Sequence, residues 1–103
     1  MTKLHTKDVD ELFRAILTLE TAEECYRFFE DICTINEIRD IAQRLSVAQQ
    51  LSEGRIYSDI SKSTGASTAT ISRVNKCLNY GSGGYRMVID KKTKKRCKNK
   101  AED

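Results

Sequence analysis

The chain has 103 residues, with 18 Lys and Arg against 15 Asp and Glu, a net charge of +3 and no proline. This length fits one small domain, whose core is marginal unless oligomerisation supports it. No apolar run approaches the roughly 18–20 residues that a membrane span needs, and the first residues lack the apolar segment of a signal peptide. We therefore expect a cytoplasmic protein with no membrane partner.

The absence of proline and the small number of glycines favour an all-α chain, since little interrupts the helical pattern. Apolar residues recur with helical spacing over 7–19, which predicts a first helix. Thr21 and Thr34 are each followed three residues later by a glutamate, Glu24 and Glu37. This is the spacing of a capping box, so we expect the second and third helices to begin there. Gly54 is a natural end for the third helix.

The first two helices are unusually apolar for so short a chain. Phe28 and Phe29 are adjacent, so their side chains point about 100° apart around a helix. One small core is not expected to cover both. Either the second helix is buried on two sides within the monomer, or the N-terminal helices pack against a second copy of the chain.

Cysteine usage argues against a metal site or a disulfide framework. The four cysteines, Cys25, Cys33, Cys77 and Cys97, have wide spacings and form no Cys-x-x-Cys pair. We expect all four to be reduced, the first three packed as small hydrophobic side chains, and no metal to be bound.

Residues 54–78 have the pattern of a helix-turn-helix, which we place at about 57–79. Gly65 can take the left-handed conformation that ends the first of its helices. Ile71, Val74 and Leu78 share one stripe of the second helix. Ser58 and Ser67 are the expected caps of the two helices. Such a unit usually places its second helix in the major groove of DNA, although a helical hairpin without a DNA role has a similar pattern.

Helical geometry puts a set of mostly short polar residues on the face opposite the apolar stripe. Short side chains can read thymine methyl groups or bridge to bases through water, whereas Arg and Lys reach guanine edges or phosphates. The first-turn amides can also bind an anion. The predicted DNA-binding residues are Ser67, Thr68, Ala69, Thr70, Ser72, Arg73 and Lys76.

The charge is divided between two regions. Residues 1–90 hold 11 basic and 13 acidic residues, whereas residues 91–103 hold seven basic and two acidic ones. We therefore predict a helical domain over 1–90 and a basic, flexible tail over 91–103 that is disordered or frayed. The tail is either a non-specific phosphate tether or a solvated segment. Between them, we expect a flexible joint at 79–84 and a short apolar patch at 85–89, which is either a last helix or a docking segment.

From Thr34 to Leu78 the chain resembles the Trp repressor superfamily, and within it the small Trp-repressor-related bacterial proteins. The resemblance rests on residues 34–44, 52–54 and above all 65–73. It implies a six-helix subunit, an intertwined homodimer and repression of transcription. The Trp repressor is also a standard example of helix-turn-helix docking and of water-mediated base contacts.

The resemblance also places a possible ligand pocket. In the Trp repressor, two arginines sandwich the indole of the tryptophan corepressor, a threonine assists, and a glycine follows the second arginine. The matching positions are Thr34, Arg44, Arg73 and Val74. A valine fills the gap that a glycine leaves, so we expect no tryptophan cofactor, or a smaller effector. Alternatively, Arg44 forms an exposed ion pair with Asp40.

The leading hypothesis is therefore a sequence-specific DNA-binding transcriptional regulator, a repressor that acts as a homodimer without tryptophan. The alternative is a helical interaction module whose helix-turn-helix binds a transcription-related protein, which the net negative charge of residues 1–90 favours. We do not expect an enzyme. The one histidine, His5, lies near the N-terminus, and no nucleophile is paired with a base in the sequence.

Overall fold

A computed structural model describes residues 4–102 of the chain, with side chains over 4–95. These residues form six helices and no strand, which confirms the all-α prediction. The helices are α1 (Lys7–Ile16), α2 (Ala22–Ile32), α3 (Ile35–Ser52), α4 (Tyr57–Thr64), α5 (Thr68–Tyr80) and α6 (Gly84–Glu102). They fall into two compact units, which divide inside α3 between Ile38 and Arg39.

In the N-terminal unit, threonines start the helices as the sequence predicts. Thr21 Oγ1 accepts a hydrogen bond from the Glu24 amide at 3.1 Å. Thr34 and Glu37 form a complete capping box, because the Glu37 amide donates to Thr34 Oγ1 at 3.1 Å and the Thr34 amide donates to Glu37 Oε1 at 2.8 Å. The Glu24 carboxylate instead accepts from the amide of Glu20, at 2.8 Å.

Neither α1 nor α2 contains a buried residue. The Phe28 and Phe29 rings contact each other edge to face, with their centroids 5.5 Å apart, and both are only half-buried. Leu17 and Tyr26 are 82% and 67% exposed. The expectation that α2 is buried on two sides within one chain is therefore wrong.

The C-terminal unit contains the buried core. Its members come from α3, α4, the turn after α4, and α5. They are Val47, Ala48, Ile60, Ala66, Ile71 and Val74. Tyr85 and Ile89 of α6 pack against this cluster, so the docking segment predicted at 85–89 is confirmed.

Helix α6 does not end after this docking segment. It continues through Glu102, where the sequence predicts a disordered or frayed tail. No glycine or proline follows Gly84, and lysine and arginine have good helix propensity, so nothing in the sequence stops the helix.

The cysteines differ from expectation in packing. Cys25, Cys33 and Cys77 are unbridged, and Cys25 and Cys77 are exposed rather than packed as hydrophobic side chains. Cys97 lies outside the range whose side chains are described.

Candidate nucleic-acid interface

Gly65 forms the elbow between α4 and α5. Its backbone has φ +77°, the left-handed conformation that the sequence predicts, and its amide donates to the Ser61 carbonyl at 2.8 Å. The Ser61 hydroxyl in turn donates to the Ala66 carbonyl, also at 2.8 Å. A short hydroxyl side chain at position 61 therefore holds the turn closed, a role that the sequence does not reveal.

The two helices of the motif start differently. Ser67 caps α5 as predicted, since its Oγ accepts from the Thr70 amide at 3.1 Å. The prediction that Ser58 caps α4 is wrong. The residue in the N-cap position is Ile56, which makes no side-chain capping bond, and Ser58 lies inside the first turn. The apolar Ile56 therefore leaves the first amides of α4 without a side-chain cap.

The inner face of α5 is closely packed. Ile71, Val74 and Leu78 are 0%, 3% and 5% exposed, which confirms the predicted apolar stripe. Val74 belongs to the core cluster together with Ile60 of α4 and Val47 of α3. The volume beside position 74 is therefore filled by protein in the absence of any ligand.

The outer face of α5 is open to solvent. Among the predicted DNA-binding residues only Thr70 is half-buried, and its hydroxyl accepts a hydrogen bond from Ser67 Oγ at 3.1 Å. The exposed members are Ser67, Thr68, Ala69, Ser72, Arg73 and Lys76. The structure thus gathers the predicted set on one accessible surface of a packed helix, and their contact with DNA remains a prediction.

Basic side chains flank this surface. Arg55 and Lys62 are exposed, and the single acid among residues 54–78 is Asp59, which is also exposed. The Arg55 guanidinium lies 3.6 Å from the Glu53 carboxylate, an exposed pair that solvent screens strongly. The helix-turn-helix therefore carries a local positive excess that favours phosphate.

Helix α3 fixes the motif in place through polar contacts. Gln43 Nε2 donates to the Thr64 carbonyl at 3.1 Å, which satisfies a free carbonyl at the end of α4. The Ser63 hydroxyl donates to Gln50 Oε1 at 2.8 Å. Together with the core cluster, these bonds hold α4 rigidly against α3.

A surface cavity of about 540 Å³ lies between α3, the end of α5 and the start of α6. Arg44, Cys77, Ser82 and Tyr85 are the polar residues of its wall, and most of the remaining wall is apolar. Burial raises the pKa of Tyr85 above its ordinary value, and Cys77 adds to this rise while Arg44 opposes it. Tyr85 therefore stays a neutral hydroxyl near neutral pH.

The residues of the possible ligand pocket are used in different ways. Arg44 lines the cavity, but Arg73 and Val74 do not. Thr34 caps α3 with its hydroxyl. Arg44 makes no ion pair with Asp40, or with any other acid in the part of the chain whose side chains are described, so that alternative is wrong.

The fold and this surface define a helix-turn-helix protein whose second helix is packed on one side and polar on the other. The family model of the Trp repressor protein matches residues 7–93. The chain therefore belongs to the Trp repressor family.

Relatives and solved structures agree with this membership. The chain is 60% identical over 89 residues to the uncharacterized protein YerC of Bacillus subtilis (strain 168), covering 86% of each protein. A crystal structure of a TrpR-like protein from Eubacterium eligens superposes with a TM-score of 0.86 at 56% identity, over 88% of this chain and 94% of that one. A crystal structure of a protein from Staphylococcus aureus, provisionally described as a Trp repressor, superposes with a TM-score of 0.86 at 52% identity, over 88% of this chain and 91% of that one.

No helix in the described range is both long and apolar enough to cross a membrane.

Proposed function

We propose that this protein is a sequence-specific regulator of transcription, a repressor that binds double-stranded DNA as a homodimer and does so without tryptophan. The observation that carries this proposal is the second helix of the motif. Its inner side is buried around Val74, and its outer side exposes Thr68, Ser72 and Arg73 at the end where a recognition helix meets base edges. Membership of the Trp repressor family supports the same function. Such a regulator acts in the cytoplasm, where bacterial DNA lies.

The homodimer is supported by the apolar surface of the N-terminal unit. Leu17, Tyr26 and Ile35 are each at least 66% exposed, and neither α1 nor α2 buries any residue. Large exposed apolar side chains without any buried residue in two helices are unusual for a monomer of this size and typical of an interaction surface. A second copy of the chain, packed against α1 and α2, would remove it from water. The two α5 helices would then lie about 34 Å apart and read a pseudo-palindromic site.

Independence from tryptophan is supported by Val74. A corepressor that fills a gap beside α5 requires that gap to be unpacked, and the Val74 side chain is 3% exposed within the core cluster. An indole beside α5 would have to displace the valine side chain. We therefore expect the DNA-binding conformation to form in the protein alone.

The test begins with in vitro selection of bound DNA by the full-length chain, followed by gel shifts on the selected site. We expect a two-fold site and an affinity that falls steeply with salt. Arg73→Ala should weaken binding at least tenfold, because it removes an exposed cation of the reading face. Lys7→Ala, which removes an equally exposed cation on α1, should leave the affinity unchanged.

Two results would contradict the proposal. If Arg73→Ala and Ser72→Ala both bind the selected site as the wild type does, α5 does not read DNA. If no sequence is enriched and the chain instead captures a polymerase subunit through α5, the motif is a protein-interaction module.

A further inference from the structure

The C-terminal half of α6 presents a basic surface that the helix-turn-helix does not account for. Lys91, Lys92, Lys94 and Lys95 are all exposed. No acidic residue lies between Asp90 and Glu102, and the sequence adds Arg96, Lys98 and Lys100 in the same stretch. Like charges at this density repel one another, so a helix of this composition is stabilised by a polyanion.

The orientation of this surface follows from how α6 is anchored. Tyr85 and Ile89 pack on the core cluster, which fixes one face of the helix against the C-terminal unit. At 100° per residue, Lys91, Lys94 and Lys95 lie about 120–160° around the helix from Ile89, on its far side. Lys92 lies nearer the docked side, and with Thr93 it borders a small cavity beside Ser52 and Glu53 at the end of α3. The three outer lysines therefore form a stripe that faces away from the protein. We call Lys91, Lys94 and Lys95 the lysine stripe.

The composition of the segment decides which polyanion it fits. A helix that lies on a membrane surface needs an apolar face opposite its basic one. Between Asp90 and Lys100 the only apolar residue is Cys97, so this helix has no such face. Phosphates of a nucleic acid backbone require only cations at suitable spacing.

We propose that the lysine stripe binds the phosphate backbone of DNA outside the bases that α5 reads, so that α6 acts as a sequence-independent clamp on the flanking duplex. This inference rests on the proposed function, since it assumes that α5 engages the same DNA. Along the helix axis the stripe begins about 3 Å beyond Ile89 and ends about 9 Å beyond it. The clamp adds affinity and salt dependence but no sequence preference.

The experiment compares two variants of the full-length protein on the selected DNA and on a scrambled duplex. In the first, Lys91, Lys94 and Lys95 are all replaced by glutamine, which removes three charges and keeps high helix propensity. In the second, the same three residues are replaced by arginine, which keeps the charges. Circular dichroism shows whether both variants retain the helix.

We expect the glutamine variant to bind both duplexes more weakly by the same factor. Because each phosphate contact contributes about 0.9 to the slope of log K against log salt, the slope should fall by about 2–3 per chain. Over a fourfold rise in salt, the wild-type dimer, which carries two stripes, should then lose roughly 250–4,000 times more affinity than the variant dimer. The arginine variant should bind as the wild type does.

Three outcomes would overturn the clamp. A glutamine variant with unchanged affinity and slope would show that the stripe is only a solvated surface. Loss of affinity for the selected site alone would make the stripe part of sequence reading. Lysine-dependent binding to phosphatidylglycerol vesicles without any effect on DNA would assign it to membranes. Failure of the proposed function gives a different pattern, in which Arg73→Ala binds normally and the glutamine variant loses all DNA binding.

Discussion

Replacing Val74 by glycine tests the packing of α5, the second helix of the helix-turn-helix. The valine is 3% exposed within the core cluster. Removing a buried valine side chain costs about 1.5–3 kcal/mol of transfer free energy. Glycine within a helix lowers the free energy of unfolding by about 0.5–1 kcal/mol more, which is the difference between glycine and alanine. We therefore expect Val74→Gly to lower the free energy of unfolding by about 2–4 kcal/mol.

The assay is urea denaturation followed by circular dichroism, at one protein concentration because the proposed dimer would make stability depend on concentration. Ser72→Gly is the matched control, since Ser72 is exposed on the same helix. It should cost only about 0.5 kcal/mol through helix propensity. If Val74→Gly is no more destabilising than Ser72→Gly, the valine does not stabilise α5. The argument that Val74 fills the space an indole would need then fails.

Three further variants test the turn, the cavity and the dimer. Gly65→Ala should lower the unfolding free energy by about 1 kcal/mol, because its φ of +77° is unfavourable for alanine. No atom obstructs the added Cβ, so no steric clash increases this loss. Gly84→Ala is the control, at a position that is equally open but has no positive φ, and it should leave the unfolding free energy unchanged. An equal loss of unfolding free energy at both sites would show that the left-handed backbone of Gly65 is not the cause. The raised pKa of Tyr85 means that the unfolded state ionises first, so stability should fall above about pH 10. In unfolding experiments from pH 8 to 11, Tyr85→Phe should reduce this loss of stability. If the variant keeps the wild-type pH profile, ionisation of Tyr85 is not its cause. Leu17→Asp should turn the dimer into monomers in analytical ultracentrifugation while Lys7→Asp should not, and a dimeric Leu17→Asp would exclude Leu17 from the interface.

Local chemistry made much of the fold predictable. Thr34 and Glu37 indicate a helix start because their side chains, three residues apart, cap each other's amides. Gly65 indicates a helix end because glycine readily adopts the left-handed backbone conformation. The stripe of Ile71, Val74 and Leu78 follows from helical period alone. Each of these signals depends on a few neighbouring residues, so a single sequence is enough to show it.

Features that depend on distant parts of the chain were not predictable. The cavity beside Arg44 exists only because α6 returns to α3, which brings Tyr85 and Cys77 to its wall. The exposure of Cys77 likewise depends on which elements cover that face of α5. Ser58 was wrongly predicted as a cap because α4 begins two residues earlier than a serine cap would place it, with Ile56 in the N-cap position.

The central claim is that the packed helix α5 binds DNA without tryptophan. The most direct test is fluorescence anisotropy of the selected DNA site, titrated with protein that has been dialysed free of amino acids, and repeated with saturating L-tryptophan. The account predicts the same Kd in both titrations, and no heat of tryptophan binding in calorimetry. Binding that appears only with tryptophan, or micromolar tryptophan affinity at Thr34, Arg44 and Arg73, would contradict it.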